Sequence, residues 1–342
     1  MYDKDKFDKM LAAAKGLLSA SAADSFCISS LIPERWLIEE ERTFDSALAN
    51  SESIKSSINR RIVGTLCKVT GKKYNSDAGI RVVLDFNSYV ASLKHENTFV
   101  FGRYKKFSRE LSQSRWLCSK CEGEGCFKCY YEGKNYISVE ELIGDVFKKY
   151  SECSDYSLHA SGREDVDVTN VAGRPFVLEL KEPKQFSLDL LKIAKEIGND
   201  NKVVVLDLKF VKRSFVEIVS NSHFDKEYEA DIELSRELTD QDLEKLKSLE
   251  GTTIDQQTPH RVAHRRADLI RKRIIKRMEI LNNDKNKLKI RLLAEPGTYI
   301  KELIHGDKGN TKPSVSSILG CDAKCTCLTV IKIQDGFLDL LS

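Results

Sequence analysis

Ala160-Ser161-Gly162-Arg163-Glu164-Asp165-Val166-Asp167-Val168 is followed by Ala172-Gly173-Arg174-Pro175 and the apolar run Phe176-Val177-Leu178-Glu179-Leu180. Three carboxylates and one guanidinium fall within the six residues Arg163 to Val168. The pattern reads as a charged loop feeding strands, with Gly162 allowing a tight backbone approach and a turn at 172–175 before the apolar strand. On a strand, Asp165 and Asp167 would share one face and Glu164 would take the other. Two carboxylates on one side repel unless a cation answers them. As a bare motif, the stretch reads first as a charged turn with a local Arg–Asp pair.

Outward from the motif, composition bounds the answer. The 342 residues suffice for two domains and a sizeable core. With 41% hydrophobic and 31% charged residues, the chain is a globular rather than a disordered one. A net charge of +3 does not announce a nucleic-acid binder, but the distribution does. Arg261 to Arg277 holds eight Lys/Arg against the single acid Asp268, which points to phosphate binding with a steep salt dependence. Phe101-Gly102-Arg103-Tyr104-Lys105-Lys106-Phe107-Ser108-Arg109 interleaves bases with aromatics, a mixture suited to phosphates and unstacked bases. No apolar run is long enough to span a membrane. Met10–Ala23 is broken by Lys15 and serines and reads as a helix, not a signal peptide. Ten cysteines without the dense spacing of a secreted scaffold fit a reducing cytoplasm.

Cys118-Ser-Lys-Cys121 and Cys126-Phe-Lys-Cys129 are two Cys-x-x-Cys turns, with Gly123 and Gly125 permitting a tight backbone between them. Four thiolates make a closed tetrahedral zinc site of the structural kind; reduced structural thiols are the alternative, because only four residues separate the pairs. Gly306–Lys312 lacks the Gly-Lys-Ser/Thr order, so no nucleotide cofactor is expected. Helices are predicted at 54–63, 136–150, 188–197 and 237–249, and strands at 80–86, 97–101, 203–211 and 288–293. Such alternation favours a mixed sheet covered by helices.

The motif, together with Phe101–Arg109, Ser138–Gly144, Thr258–Asp268, Gly297–Glu302 and Lys312–Ser317, resembles the archaeal and eukaryotic tRNA pseudouridine-54/55 synthase family from about Phe101 to the C-terminus. The resemblance implies an α+β pseudouridine synthase fold, with a mixed, mostly antiparallel central sheet flanked by helices over 101–342, including the Cys-rich insert 118–129. It also implies a smaller N-terminal α/β accessory domain, THUMP-like and RNA-binding, over 1–100. The expected activity is isomerisation of uridine 54, 55 or both in the TΨC arm of tRNA, without a catalytic cofactor, by a monomer. By the same resemblance Asp165 is the nucleophilic carboxylate, and Tyr228, in a Lys-x-Tyr pattern, stacks on the flipped uracil and helps remove the C5 proton, for which an ordinary phenol, of pKa about 10, is a poor base. Lys301 is the cation that orients Asp165. Arg163 contacts backbone or fills the space that the base leaves. Arg103, Lys105, Lys106, Arg261, Arg265, Arg266 and Lys312 complete the expected substrate-binding set. Glu229 departs from the family pattern, where Arg is expected. The stretch 269–281, ambiguous by periodicity, becomes a strand by resemblance. The alternative is a non-catalytic tRNA-binding or chaperone protein with the same fold.

Overall fold

The computed structural model describes residues 3–44, 52–259, 267–336 and 338. The N-terminal part begins with α1 (Lys4–Ala20), β1 (Ser25–Leu31), α2 (Glu34–Phe44) and α3 (Ile54–Thr70). It closes with β2 (Lys73–Tyr74), β3 (Ile80–Asp85) and β4 (Val90–His95). Its sheet runs β2-β1-β3-β4. The strict alternation of β3 buries Ile80, Val82 and Leu84 against Met10, Leu18, Ile62 and Leu66 of the helices, the pattern of a sheet face covered on one side.

The remaining chain builds one ten-stranded sheet. In chain order it contains β5 (Thr98–Lys106), the small ribbon strands β6 (Trp116–Leu117) and β7 (Lys134–Tyr136), α4 (Val139–Ser151), β8 (Asp155–Ala160) and β9 (Thr169–Lys181). Then come α5 (Leu190–Ile197), β10 (Val203–Val211), α6 (Ser214–Ser220), β11 (Lys226–Leu234), α7 (Asp240–Lys247), β12 (Thr253–Gln257) and β13 (Ile270–Asp284). The last elements are β14 (Lys287–Ala294), α8 (Ile300–His305), β15 (Thr311–Lys312), α9 (Val315–Leu319) and β16 (Ala323–Ile333). The order is β10-β5-β9-β16-β11-β14-β13-β12-β15, with β8 also on β9 and the β6–β7 ribbon apart. Among the described residues every pairing in it is antiparallel except one: β9 and β16 run parallel through Thr169↔Thr329 and Asn170↔Val330. The α+β expectation of a mixed, mostly antiparallel sheet therefore holds. No helix among the described residues is long and apolar enough to cross a membrane.

Three placements differ from the expectations. Residues 98–106 form one strand of the large sheet, so the small sheet ends at His95 rather than near residue 100. The stretch 172–175 is not a turn between strands. It lies inside β9, where Gly173 at φ +86° and a register shift opposite Tyr104–Lys106 form a bulge. Helix α4 starts at Val139, because Ser138 and Glu141 close a capping box there.

Candidate active site

The motif is the crossing from β8 to β9. Val168 donates its N–H to the Asp165 carbonyl at 3.2 Å, which folds Asp165–Val168 into a turn. Strand pairing starts only at Thr169, so the stretch is a turn rather than a strand, yet Asp165 and Asp167 still share one side and Glu164 takes the other. The physical reason is Lys106. Its ammonium donates to the carbonyls of Leu111 at 2.9 Å, Asp165 at 3.0 Å and Val166 at 2.9 Å. Three donors meet three acceptors, and the loop carbonyls that a ladder would need are spent. Lys106 is fully buried, which departs from the expected phosphate contact. Burial pushes its pKa down, against the charges of Glu164, Asp167 and Asp165.

Beneath the loop lies a polar layer that sequence reasoning missed. Glu164 turns inward and pairs with the Arg174 guanidinium at 2.6 Å, both side chains buried. The Tyr104 hydroxyl donates to Glu164 at 2.7 Å, and Gln113 donates to Tyr104 at 2.8 Å and to the Gly162 carbonyl at 2.9 Å. Arg174 also donates to the Ser161 carbonyl at 2.7 Å. Gly162 has φ +76°, and a Cβ there would sit 3.1 Å from the Arg174 guanidinium, so conformation and space both favour glycine. The signals in the chain were Glu164 set opposite Asp165 and Asp167, Gly162, and Arg174 in Gly-Arg-Pro.

Above the loop, Asp165 and Asp167 meet Lys301 from α8. The ammonium is 3.6 Å from Asp165 Oδ2, and 2.6 and 2.7 Å from the two oxygens of Asp167. The side chains of Asp165 and Asp167 are 37% and 64% exposed, so Asp165 is the deeper of the two. The structure thus brings Lys301 to the motif, with its tighter bonds to the second carboxylate.

The parallel seam brings in Tyr228. Asn170 pairs with Val330, and Val330 pairs with Tyr228 on β11, an interior strand between β14 and β16. Tyr228 therefore stands two strands from the start of β9, at the level where the loop ends. Burial pushes its hydroxyl up to about 12; Arg174 opposes this and Glu164 adds to it. Lys226, two residues earlier, donates to the Phe224 carbonyl at 2.9 Å. Burial and then Arg174 bring it down to about 8, with Asp225 and Glu164 opposing. Glu229, the departure from the family pattern, holds Arg291 at 2.8 Å and Lys289 at 3.2 Å.

The expected RNA-contact residues scatter. Arg103 is largely buried, paired with Asp207 and Asp335 at 3.0 Å each. Lys105 is half-buried, while Arg163 and Lys312 are exposed. Arg261, Arg265 and Arg266 lie outside the described residues. Of the rest of that basic stretch, Arg271 bonds Thr258 and Lys276 bonds Asp225, each at 2.5 Å. The strand expected over 269–281 is β13.

The four cysteines come together. All four thiols lie within 4.8 Å of one another, and the closest pairs are 3.7, 3.8 and 3.9 Å apart. A tetrahedron of Zn–S bonds has S···S edges of about 3.8 Å, so the set fits a structural zinc ion. Burial pushes the Cys129 thiol up, but the N–H groups of Cys126 and Gly133 and the neighbouring thiols outweigh it and bring it down to about 6. A ready thiolate suits a metal ligand. Cys321, Cys325 and Cys327 are not part of this set; Cys327 contacts Arg109, and burial pushes the Cys325 thiol up to about 11.

The family model described as Pus10, C-terminal, matches residues 99–334. The tRNA pseudouridine synthase Pus10 of Methanocaldococcus jannaschii is 41% identical over 98% of this chain and 74% of its own length. That of Methanococcus voltae is 38% identical over 96% of this chain and 64% of its own length. That of Korarchaeum cryptofilum is 34% identical over 95% of this chain and 88% of its own. Since the family model spans more than half of the chain and these likenesses run nearly its full length, the chain belongs to the Pus10 family of pseudouridine synthases.

Proposed function

We propose that this protein isomerises uridine to pseudouridine in tRNA, at position 54, 55 or both of the TΨC arm, with Asp165 as the carboxylate that meets the nucleoside. The observation that carries the reading is the convergence of three segments remote in sequence. The Asp165 turn, Lys301 3.6 Å away and Tyr228 across the β9–β16 seam occupy one end of the sheet. In this reaction the N1–C1′ bond breaks, the base turns, and a C5–C1′ bond forms. N1 gains a proton and C5 loses one, so atoms balance without a redox partner. Taking the uracil out of its stack costs a few kcal/mol, and Tyr228 offers a ring to receive it. A phenol raised to about 12 is a neutral stacking group rather than a base near neutrality. Lys301 places positive charge between the two aspartates and orients the turn. Arg163 and Lys312, both exposed, supply cations for the backbone. The sheet β2-β1-β3-β4 serves as an accessory RNA-binding domain of the THUMP type, and zinc at the four cysteines is structural.

The test is pseudouridine mapping on tRNA incubated with pure protein. Asp165→Asn is expected to abolish product while tRNA affinity stays within about threefold, and Tyr228→Ala to lose most turnover. Product at wild-type rate from Asp165→Asn, with loss in Asp167→Asn instead, would show that the second carboxylate carries the reaction.

A further inference from the structure

The stretch 115–137 leaves and rejoins the catalytic domain at one place. Ser112 accepts from Val139 N at 2.8 Å and donates its own N–H to Ile137 at 3.1 Å, closing its base. Gln113, at that base, is the side chain that holds the Gly162 carbonyl and Tyr104 under the motif. The knuckle of four cysteines is thus built onto the floor of the candidate active site.

Its tip carries Phe127, Tyr130 and Tyr131, which are 79%, 85% and 74% exposed. Packing explains none of the three. Tyr130 and Tyr131 are moreover both in the left-handed region, at φ +51° and +66°, which bulky side chains rarely occupy. Tyr131 N–H to Cys126 O and Glu132 N–H to Cys129 O, each 2.9 Å, hold them there. Gly125 makes the room, since a Cβ on it would lie 2.7 Å from the Tyr131 carbonyl. Tyr130 is the C-cap of the short helical turn Phe127–Cys129, so the four-cysteine turn itself sets this backbone and leaves the rings in solvent.

Charge selects the ligand. Residues 115–137 carry four Lys/Arg against three Glu, so the knuckle is nearly neutral and is no phosphate site. Flat, neutral base faces match it, because stacking on aromatics tolerates any sequence and needs no countercharge. We infer that the knuckle is a stacking surface on which Phe127, Tyr130 and Tyr131 receive unpaired bases of the RNA substrate. This rests on the reading of tRNA as substrate. A protein partner is the other occupant such a surface could take.

The experiment uses the full, zinc-loaded chain and two probes: a tRNA transcript, and a fully paired RNA duplex of one of its stems. Phe127→Ser/Tyr130→Ser/Tyr131→Ser should weaken tRNA binding roughly 10- to 100-fold. Duplex affinity, zinc content and the salt slope of tRNA binding should stay at wild-type values. Tyr130→Gly/Tyr131→Gly relieves the left-handed strain, so it should keep the wild-type melting temperature or exceed it while still losing tRNA affinity. A purely structural tip would move these two readouts together. Unchanged tRNA affinity in the triple variant overturns the inference, also where binding of a protein partner is lost instead. An equal loss on the duplex overturns it too. Wild-type protein that binds tRNA but makes no pseudouridine would remove the proposed reaction and leave the stacking surface standing.

Discussion

At the residue scale, Tyr228 shows how burial decides a role. Its hydroxyl, pushed up to about 12 chiefly by burial, stays protonated over the range where an ordinary tyrosine, near 10, would ionise. A raised phenol contributes stability that is present below about pH 10 and is lost as pH rises through about 12. Two outcomes are expected. Single-turnover rates from about pH 6 to pH 10 show no limb that vanishes in Tyr228→Phe. Burial also raises Tyr104 and Tyr156, so an ultraviolet difference titration shows at least three tyrosines fewer ionising near pH 10 in folded than in unfolded wild type, and Tyr228→Phe leaves the folded count near pH 10 unchanged. A rate limb below pH 9 that disappears in Tyr228→Phe would make the phenolate, not the ring, the working group. Lys106 and Arg103 teach the same lesson from the other side. In the chain both belong to a basic, aromatic run that reads as an RNA contact. In the fold one clamps three carbonyls and the other pairs with two aspartates.

At the element scale, α4 is legible in its cap and not in its middle. Ser138 three residues before Glu141 announces the cap, and Lys148 and Lys149 suit the negative end of the dipole. Gly144 in the interior would ordinarily be improved by alanine, by roughly 0.5–1 kcal/mol. Here a Cβ would lie 2.2 Å from the Tyr156 ring. That ring has little freedom to yield. Its hydroxyl donates to Asp145 at 2.5 Å, and the Arg115 guanidinium lies 4.7 Å from its centroid. Gly144→Ala should therefore destabilise by about 1–3 kcal/mol, read from the denaturant midpoint at constant slope. A gain in stability would mean that β8 shifts freely against the helix.

At the scale of the whole molecule, the small sheet is latched to the large one by a ring and a vacant Cβ. Phe186, in the segment between β9 and α5, packs where Gly79 has no side chain, and a Cβ there would sit 2.2 Å from the ring. His95 Nδ1 lies 2.7 Å from the Pro183 carbonyl beside it, and Lys212 pairs with Asp77 at 3.1 Å. Gly79→Ala should force the ring out and loosen the two parts, by about 1–3 kcal/mol of local opening. Hydrogen exchange at β3 and β4 measures it, and protection equal to wild type would show that the latch lies elsewhere.

What the chain determined by itself is local. Periodicity and caps place β3, β10, β14, α4 and α5 within a few residues, and the spacing of Cys118, Cys121, Cys126 and Cys129 anticipates the cluster of four thiols. These signals survive because a few neighbouring residues set them. The resemblance implied that Asp165, Tyr228 and Lys301 work together, but not how the fold would bring their segments to one end of the sheet. That meeting depends on a two-residue parallel seam between β9 and β16, whose partners lie some 160 residues apart. Pairing at that range is chosen by the packing of the whole sheet. The tertiary structure alone also decided that Glu164 takes Arg174 as its buried partner, that Lys106 is buried, and that Lys301 bonds Asp167 more closely than Asp165. A charge reads the same in sequence whether it meets water or a buried partner, and only the fold settles which it meets.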